Sequence, residues 1–224
     1  MTKLIAILHA PDVGATLHDP ALRSRLAVTG VTDVQLNLDD SDVAPAMRFG
    51  PGDATGRPIT AFVTVSTDDV EATLPVLVAI AEGTDVYRVT ERRPVEPPAV
   101  PYGERADALA NIAVLRKPSG MSQEEYLEIW IGGHTPIASE TQHTFGYIQN
   151  IVDEALTPDA PVISAIVEEL FLMAGMTDIH AFYGSGGDDA ELGRRMDKLM
   201  TSVARFGADQ GLDLVPTSRY LYQV

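Results

Sequence analysis

No cysteine occurs among the 224 residues of this chain. Disulfides, thiolate nucleophiles and cysteine-held metal or iron–sulfur sites are therefore excluded. Basic residues are scarce: 16 Lys and Arg stand against 32 Asp and Glu, a formal net charge of −16. That excess opposes binding to phosphate backbones and anionic lipid surfaces, so neither a nucleic-acid nor a membrane partner is expected. No apolar run approaches the roughly 20 residues that span a bilayer, and no cationic, apolar leader opens the chain. The cytoplasm is the simplest location. A G-x-S-x-G elbow and a dinucleotide-binding glycine fingerprint are also missing, which leaves serine-hydrolase and Rossmann redox chemistry without support. What is present is apolar material, 45% of residues, enough for a substantial core.

A proline-rich segment, Pro94 to Gly103, divides the chain and reads as an extended connector. The division gives a first half over 1–94, a linker over 95–104 and a second half over 105–224. In the first half, strands are expected over 3–9, 33–38, 59–65 and 85–92, with helices over 20–28 and 68–82. In the second, strands are expected over 111–116, 146–152, 163–171 and 218–224, with helices over 123–137 and 190–206. Each half reads β-α-β-β-α-β, the ferredoxin-like unit. Helices cover one face of such a sheet, and the other face needs a partner. The expected fold is α+β: two tandem ferredoxin-like units packed sheet to sheet as a pseudo-dimeric α+β barrel. The alternative is that each half pairs with a half from a second chain, in a homodimer. Pro51 to Arg57 reads as a loop.

The densest local signal lies between Leu115 and Pro136. Ser122 with Glu125 three residues on forms a capping box, and Tyr126, Ile129, Trp130, His134 and Ile137 follow at helical spacing. Gly132 and Gly133 weaken the last turn and Pro136 disfavours continuation, so the helix is expected to give way to a loop near His134. These residues resemble the EthD family of the dimeric α+β barrel superfamily. The resemblance rests on Arg116 to Ser122, the Glu125, Tyr126 and Trp130 helix, His134-Thr135-Pro136, the strand Gly146 to Asn150, and Ile166 to Phe171, about the C-terminal half of the chain. It implies the barrel fold and marks His134 as the match to the family's characteristic histidine. Barrel relatives include dehydratases, cyclases, isomerases and cofactorless oxygenases. The first half lacks a counterpart of the Trp130, His134 and Pro136 series and is expected to serve mainly as a wall.

The candidate catalytic set is His134, Glu168 and Tyr147. A histidine can move protons near neutral pH. On 163–171, Ser164, Ile166, Glu168 and Leu170 alternate with Ala165, Val167, Glu169 and Phe171. The Glu168 face suits a polar cavity, and Glu169 falls awkwardly on the helix-packed face. A partly desolvated Glu168 could pair with His134 as acid and base, its bland alternative being a salt bridge to Arg116. Tyr147 and Gln149 share a face and could orient a substrate oxygen in the cavity. Trp130 and Tyr126 would line the pocket. Asn150, which matches the family pattern at the opposite parity, and His9, in phase with Ile5 and Ile7 at the end of the first strand, complete the substrate-binding candidates; for Asn150 either a bulge intervenes or its role is structural. His134, His143 and His180 have no short ligand spacing, so no metal is expected. Gly184 to Gly187 reads as a flexible turn at the barrel mouth.

The reading that follows is a cofactor-independent lyase or isomerase, transferring protons on a hydrophobic, aromatic small molecule. One alternative is a non-catalytic carrier of a hydrophobic metabolite. Another is a cofactorless or haem-linked oxygenase, with His134 or His180 as axial ligand in the haem case.

Overall fold

The structure, a computed structural model, describes residues 1–50 and 56–224. Most of the loop expected at Pro51 to Arg57 lies outside the described residues. The first half runs β1 (Thr2–Leu8), α1 (Gly14–His18), α2 (Pro20–Val28), β2 (Asp33–Leu38), β3 (Ala61–Thr67), α3 (Val70–Val78) and β4 (Asp85–Val95). The second runs β5 (Leu109–Leu115), α4 (Gln123–Leu127), a π-helical segment (Glu128–His134), α5 (Thr135–Thr141), β6 (Gly146–Ala155) and β7 (Ala165–Phe171). A 3-10 turn (Met173–Met176), α6 (Ile179–Tyr183), α7 (Asp189–Ala204) and β8 (Asp213–Gln223) complete it. Asp19, Asp69, Ser122 and Asp188 cap α2, α3, α4 and α7, each accepting a backbone N–H of the first turn.

The strands close into one barrel in the order β1-β3-β2-β8-β5-β7-β6-β4. Each half supplies four adjacent strands, and the halves join at two antiparallel seams, β2 with β8 and β4 with β6. The barrel thus closes within one chain. Alternation along the strands divides the side chains into an interior set and two helix-covered sets. Ile5, Ile7, Phe62 and Tyr87 of the first half meet Ile112, Val114, Ile166 and Val215 of the second in a shared interior core. The helix-covered core of the first half is aliphatic, built on residues such as Leu4, Leu8, Leu22, Leu26 and Leu77. That of the second half is aromatic, with Tyr126, Trp130, Tyr147, Tyr183 and Phe206.

The helix expected to stop near His134 continues to Thr141. A π turn explains it. Between Trp130 and Thr135 the bonding widens, Thr135 donating its backbone N–H to the Trp130 carbonyl five residues back. The missing N–H of Pro136 therefore falls where the ladder is already changing step, at the first turn of α5, a position proline tolerates. The last strand starts at Asp213, five residues before the expected Ser218, despite Pro216. β8 pairs with β5 over 213–217 and with β2 only over 218–223, so Pro216 has a ladder partner on one side. β4 extends into the expected linker as far as Val95. The remainder crosses one end of the barrel, where Tyr102 donates a hydrogen bond to Asp33 (2.7 Å). Among the described residues, no helix is long and apolar enough to cross a membrane.

Candidate functional site

Strands β6 and β7 carry most of the sequence-predicted residues, and their register decides which of these meet. Tyr147 lies opposite Glu169 and Gln149 opposite Val167, whereas Ile148 lies opposite Glu168 and Asn150 opposite Ile166. Directly opposed residues project to the same face. Tyr147, Gln149 and Glu169 thus point into the helix-covered layer, and Ile148, Asn150 and Glu168 into the barrel. The expected partnership of Glu168 with His134, Tyr147 and Gln149 is not formed, because the sheet stands between them. Glu169, the glutamate whose position looked awkward, is on the same face as the other candidates.

That layer is built by the α4–π–α5 helix lying over β6 and β7. Tyr126 and Trp130 are fully buried, their rings 5.7 Å apart. Phe206, just beyond α7, packs edge-on to Tyr126 at 6.0 Å and against the His134 ring at 4.8 Å. Gln149 donates to Thr135 Oγ1 (2.8 Å) and to the Tyr147 hydroxyl (3.2 Å), tying the strand to the start of α5. His134 is 8% exposed, with Nδ1 3.0 Å from Ser202 Oγ of α7. Burial pulls its pKa down to about 4, so the imidazole is neutral at physiological pH. Burial pushes Glu169 the other way, up to about 7. The Tyr147 phenol is raised, first by burial and then by the nearby Glu169 charge, while Gln149, Thr135 and Trp130 pull it partly back.

Four buried polar atoms of this face have no hydrogen-bond partner: Tyr126 Oη, Gln149 Oε1, Glu169 Oε1 and, across β5, Asn111 Oδ1. A buried polar group left unpaired costs about 1–3 kcal/mol, and a cluster of them marks a place where a ligand's polar atoms would be welcome. A carboxyl poised near neutrality beside a phenol and an amide, under aromatic rings, can move a proton and hold an oxygen.

The other candidates lie elsewhere. Glu168, 3% exposed, accepts from Gln35 Nε2 and Asn37 Nδ2, both at 2.9 Å, and has Arg219 Nε 3.1 Å away. Arg116 instead pairs with Asp213. Asn150 is buried in the barrel, donating to the Ile166 carbonyl at 3.0 Å. It therefore needs no bulge to account for its parity. His9 is held 3.2 Å from Asp85 at the end of β1 away from Thr2 and does not join the other candidates. His180 contacts Ser185 Oγ (2.6 Å) and Asp189 (3.4 Å), different partners from that of His134, whose Nδ1 is on Ser202. Among the described residues, no three His, Asp or Glu side chains are grouped to hold a metal ion.

Glu169, Thr135 and Ser202 escaped the sequence reading. Parity did place Glu169 on the packed face with Val167; the pairing of β6 with β7 was the further signal needed. Gln35 and Asn37 had a signal too, the polar-at-every-second-residue pattern of Asp33-Val-Gln-Leu-Asn-Leu38.

No family model matches this chain, and no curated protein matches it. Among solved structures, an anthrone oxidase-like protein aligns over 99% of this chain and 92% of its own, with a TM-score of 0.59 at 11% identity. A monooxygenase candidate from Lactobacillus acidophilus NCFM aligns over 99% and 95% with a TM-score of 0.47 at 8% identity. The first match shows that the α+β barrel architecture of the whole chain is shared with a known structure.

Proposed function

We propose that the helix-covered layer of the second half is the active site of an enzyme that removes a proton from a small aromatic molecule bearing a carbonyl or phenol oxygen. The observation that carries this is Glu169, a buried carboxyl near pKa 7 with an unpartnered oxygen, opposite Tyr147. A base with that pKa is about half ionised at neutral pH, where general base catalysis is most efficient. Tyr147 would donate to the substrate oxygen as charge moves onto it, the free Oε1 of Gln149 would accept from a substrate hydroxyl, and Trp130 and Tyr126 would stack on its rings. His134, neutral, would position the helix through Ser202. Beside the long α7, the cover has short pieces, the 3-10 turn, five-residue α6 and a π turn with two glycines, and such elements open at low free-energy cost. The EthD resemblance, carried by the same helix and strands, belongs to this reading.

The same first step serves two outcomes. Without an electron acceptor the carbanion is reprotonated or expels a leaving group, as in an isomerase or lyase. With dioxygen it is oxidised: one oxygen atom replaces the two hydrogens of a methylene, which leave with the other oxygen as water. The fold shared with a protein named for anthrone oxidase favours the second outcome and makes anthrone the first substrate to try. The test is dioxygen uptake and anthraquinone formation by the purified protein, against Glu169→Gln and Tyr147→Phe. Loss of a general base is worth about 10²–10⁴-fold. Equal rates for the wild type and Glu169→Gln would end the proposal. Consumption of substrate under nitrogen, with neither dioxygen uptake nor anthraquinone formed, would move it to the isomerase or lyase outcome.

A further inference from the structure

On the opposite side of β6 and β7 a second polar constellation opens to the outside. One end of the barrel holds a mouth of about 1080 Å³, lined by side chains of both halves that include Lys3, Gln35, Ser66, Glu91 and Arg219. Lys3 and Gln35 continue into a narrow extension of about 10 Å³, room for a single water molecule, whose walls include Asn150 and Glu168. Most polar groups here are paired. Lys3 is bound to Glu91, Gln35 donates to Asn37 Oδ1 (2.7 Å), and Arg219 Nη2 donates to Gln35 Oε1 (2.9 Å).

Besides Arg88, whose Nε is unpartnered at the outer mouth, two groups nearer Glu168 are not fully satisfied. Arg219, 5% exposed, has no hydrogen-bond partner for Nη1, and its Nε is close to Glu168 without hydrogen-bond alignment. Asn150, 3% exposed, has no partner for Oδ1. Both flank Glu168, one guanidinium with spare donors and one amide with a spare acceptor. Four cations, Lys3, Arg88, Arg93 and Arg219, and four carboxylates, Asp33, Glu91, Glu96 and Asp153, line this mouth; Lys3, Arg88 and Arg93 are each ion-paired, and Arg219 keeps spare donors. Burial lowers the Lys3 pKa more than Glu91 and Glu168 raise it, as expected for an ammonium drawn into the barrel.

We propose that the barrel mouth is a second ligand site, separate from the layer that holds Glu169, and that it takes a small hydroxycarboxylate. The carboxylate meets the spare N–H groups of Arg219, and the hydroxyl donates to Asn150 Oδ1. A bare anion would satisfy only the first group and an alcohol only the second. A carboxylate on the free Nη1 also reaches the second N–H of Nη2, a parallel pair that a guanidinium offers and an ammonium does not.

The test is an NMR titration of the intact protein with three probes: L-malate, succinate, which lacks the hydroxyl, and inorganic phosphate. Malate is expected to saturate, with shifts centred on Arg219 and the Asn150 side-chain amide, and to bind at least tenfold tighter than succinate or phosphate. Arg219→Lys should weaken malate at least tenfold. Ser66→Trp, which fills the mouth from its rim and leaves the Glu168 network intact, should abolish binding while the spectrum stays dispersed. Absence of saturation by malate, unchanged affinity in Ser66→Trp, or equal affinity for malate and succinate would overturn the assignment. None of these readouts depends on the activity proposed above.

Discussion

Glu169 and His134 are buried titratable groups of one layer that respond to pH in opposite directions. In the folded chain Glu169 keeps its proton up to about pH 7, whereas unfolded it would release it near 4.5. Its contribution to stability is therefore complete at low pH and declines as pH rises to about 7, by at most about 3 kcal/mol. For His134 the folded value of about 4 lies below the unfolded 6.5. Its contribution is complete above about pH 6.5 and is lost as pH falls toward 4. Urea midpoints at pH 5 and pH 8 should separate the two. Glu169→Gln should gain on the wild type as pH rises, and His134→Gln should close its deficit as pH falls. A pH-independent difference for either variant would show that its side chain is not held in the buried state described. The sequence identified His134 and Tyr147 by pattern and turned Glu168 toward the barrel, but it paired them with Glu168 where the structure brings Glu169. The choice depends on which residue of β6 each one faces, a long-range pairing that no local pattern encodes.

At the scale of elements, most strands and helices were legible because their apolar periods are clean and their caps are explicit. The failure at Gly132 and Gly133 is instructive. Both glycines and Pro136 oppose an α-helix, yet a π turn accommodates all three, and local propensity carries no signal for that geometry. Since Gly132 has negative φ and open space around its Cβ position, Gly132→Ala should stabilise the protein by about 0.5–1 kcal/mol, with a raised Tm. Were the chain to leave the helix at this point, as the sequence suggested, alanine would bring no such gain. Gly146 behaves oppositely. A Cβ there would lie 2.8 Å from Leu170 Cδ1, so Gly146→Ala should destabilise by about 1–3 kcal/mol in chemical denaturation. The short pieces over Glu169 make a further claim. In hydrogen exchange, amides over 173–183 should open well before those of β6 and β7, and equal protection would leave the substrate no route in.

For the whole molecule, the internal repeat was legible as two β-α-β-β-α-β patterns, but closure within one chain was not, since a pair of chains would satisfy the same pattern. The seams supply the physical argument. β2 pairs with β8 over 33–38 and 218–223, β4 with β6 from Tyr87 to Val95, and the interior core takes side chains from both halves. Neither half alone would cover Ile5, Ile7, Phe62, Ile112 or Ile166. The covalent link over 96–100 thus adds little to what the seams and the shared core already hold together. A protease site inserted between Pro98 and Ala99 should give, after cutting, two fragments that co-elute at the size of the uncut 24.1 kDa chain and unfold in one transition. Only denaturant should part them. Fragments that separate in buffer would mean that the halves are independent domains, and an uncut protein that elutes as a dimer falling apart on dilution would mean that the barrel is closed between chains.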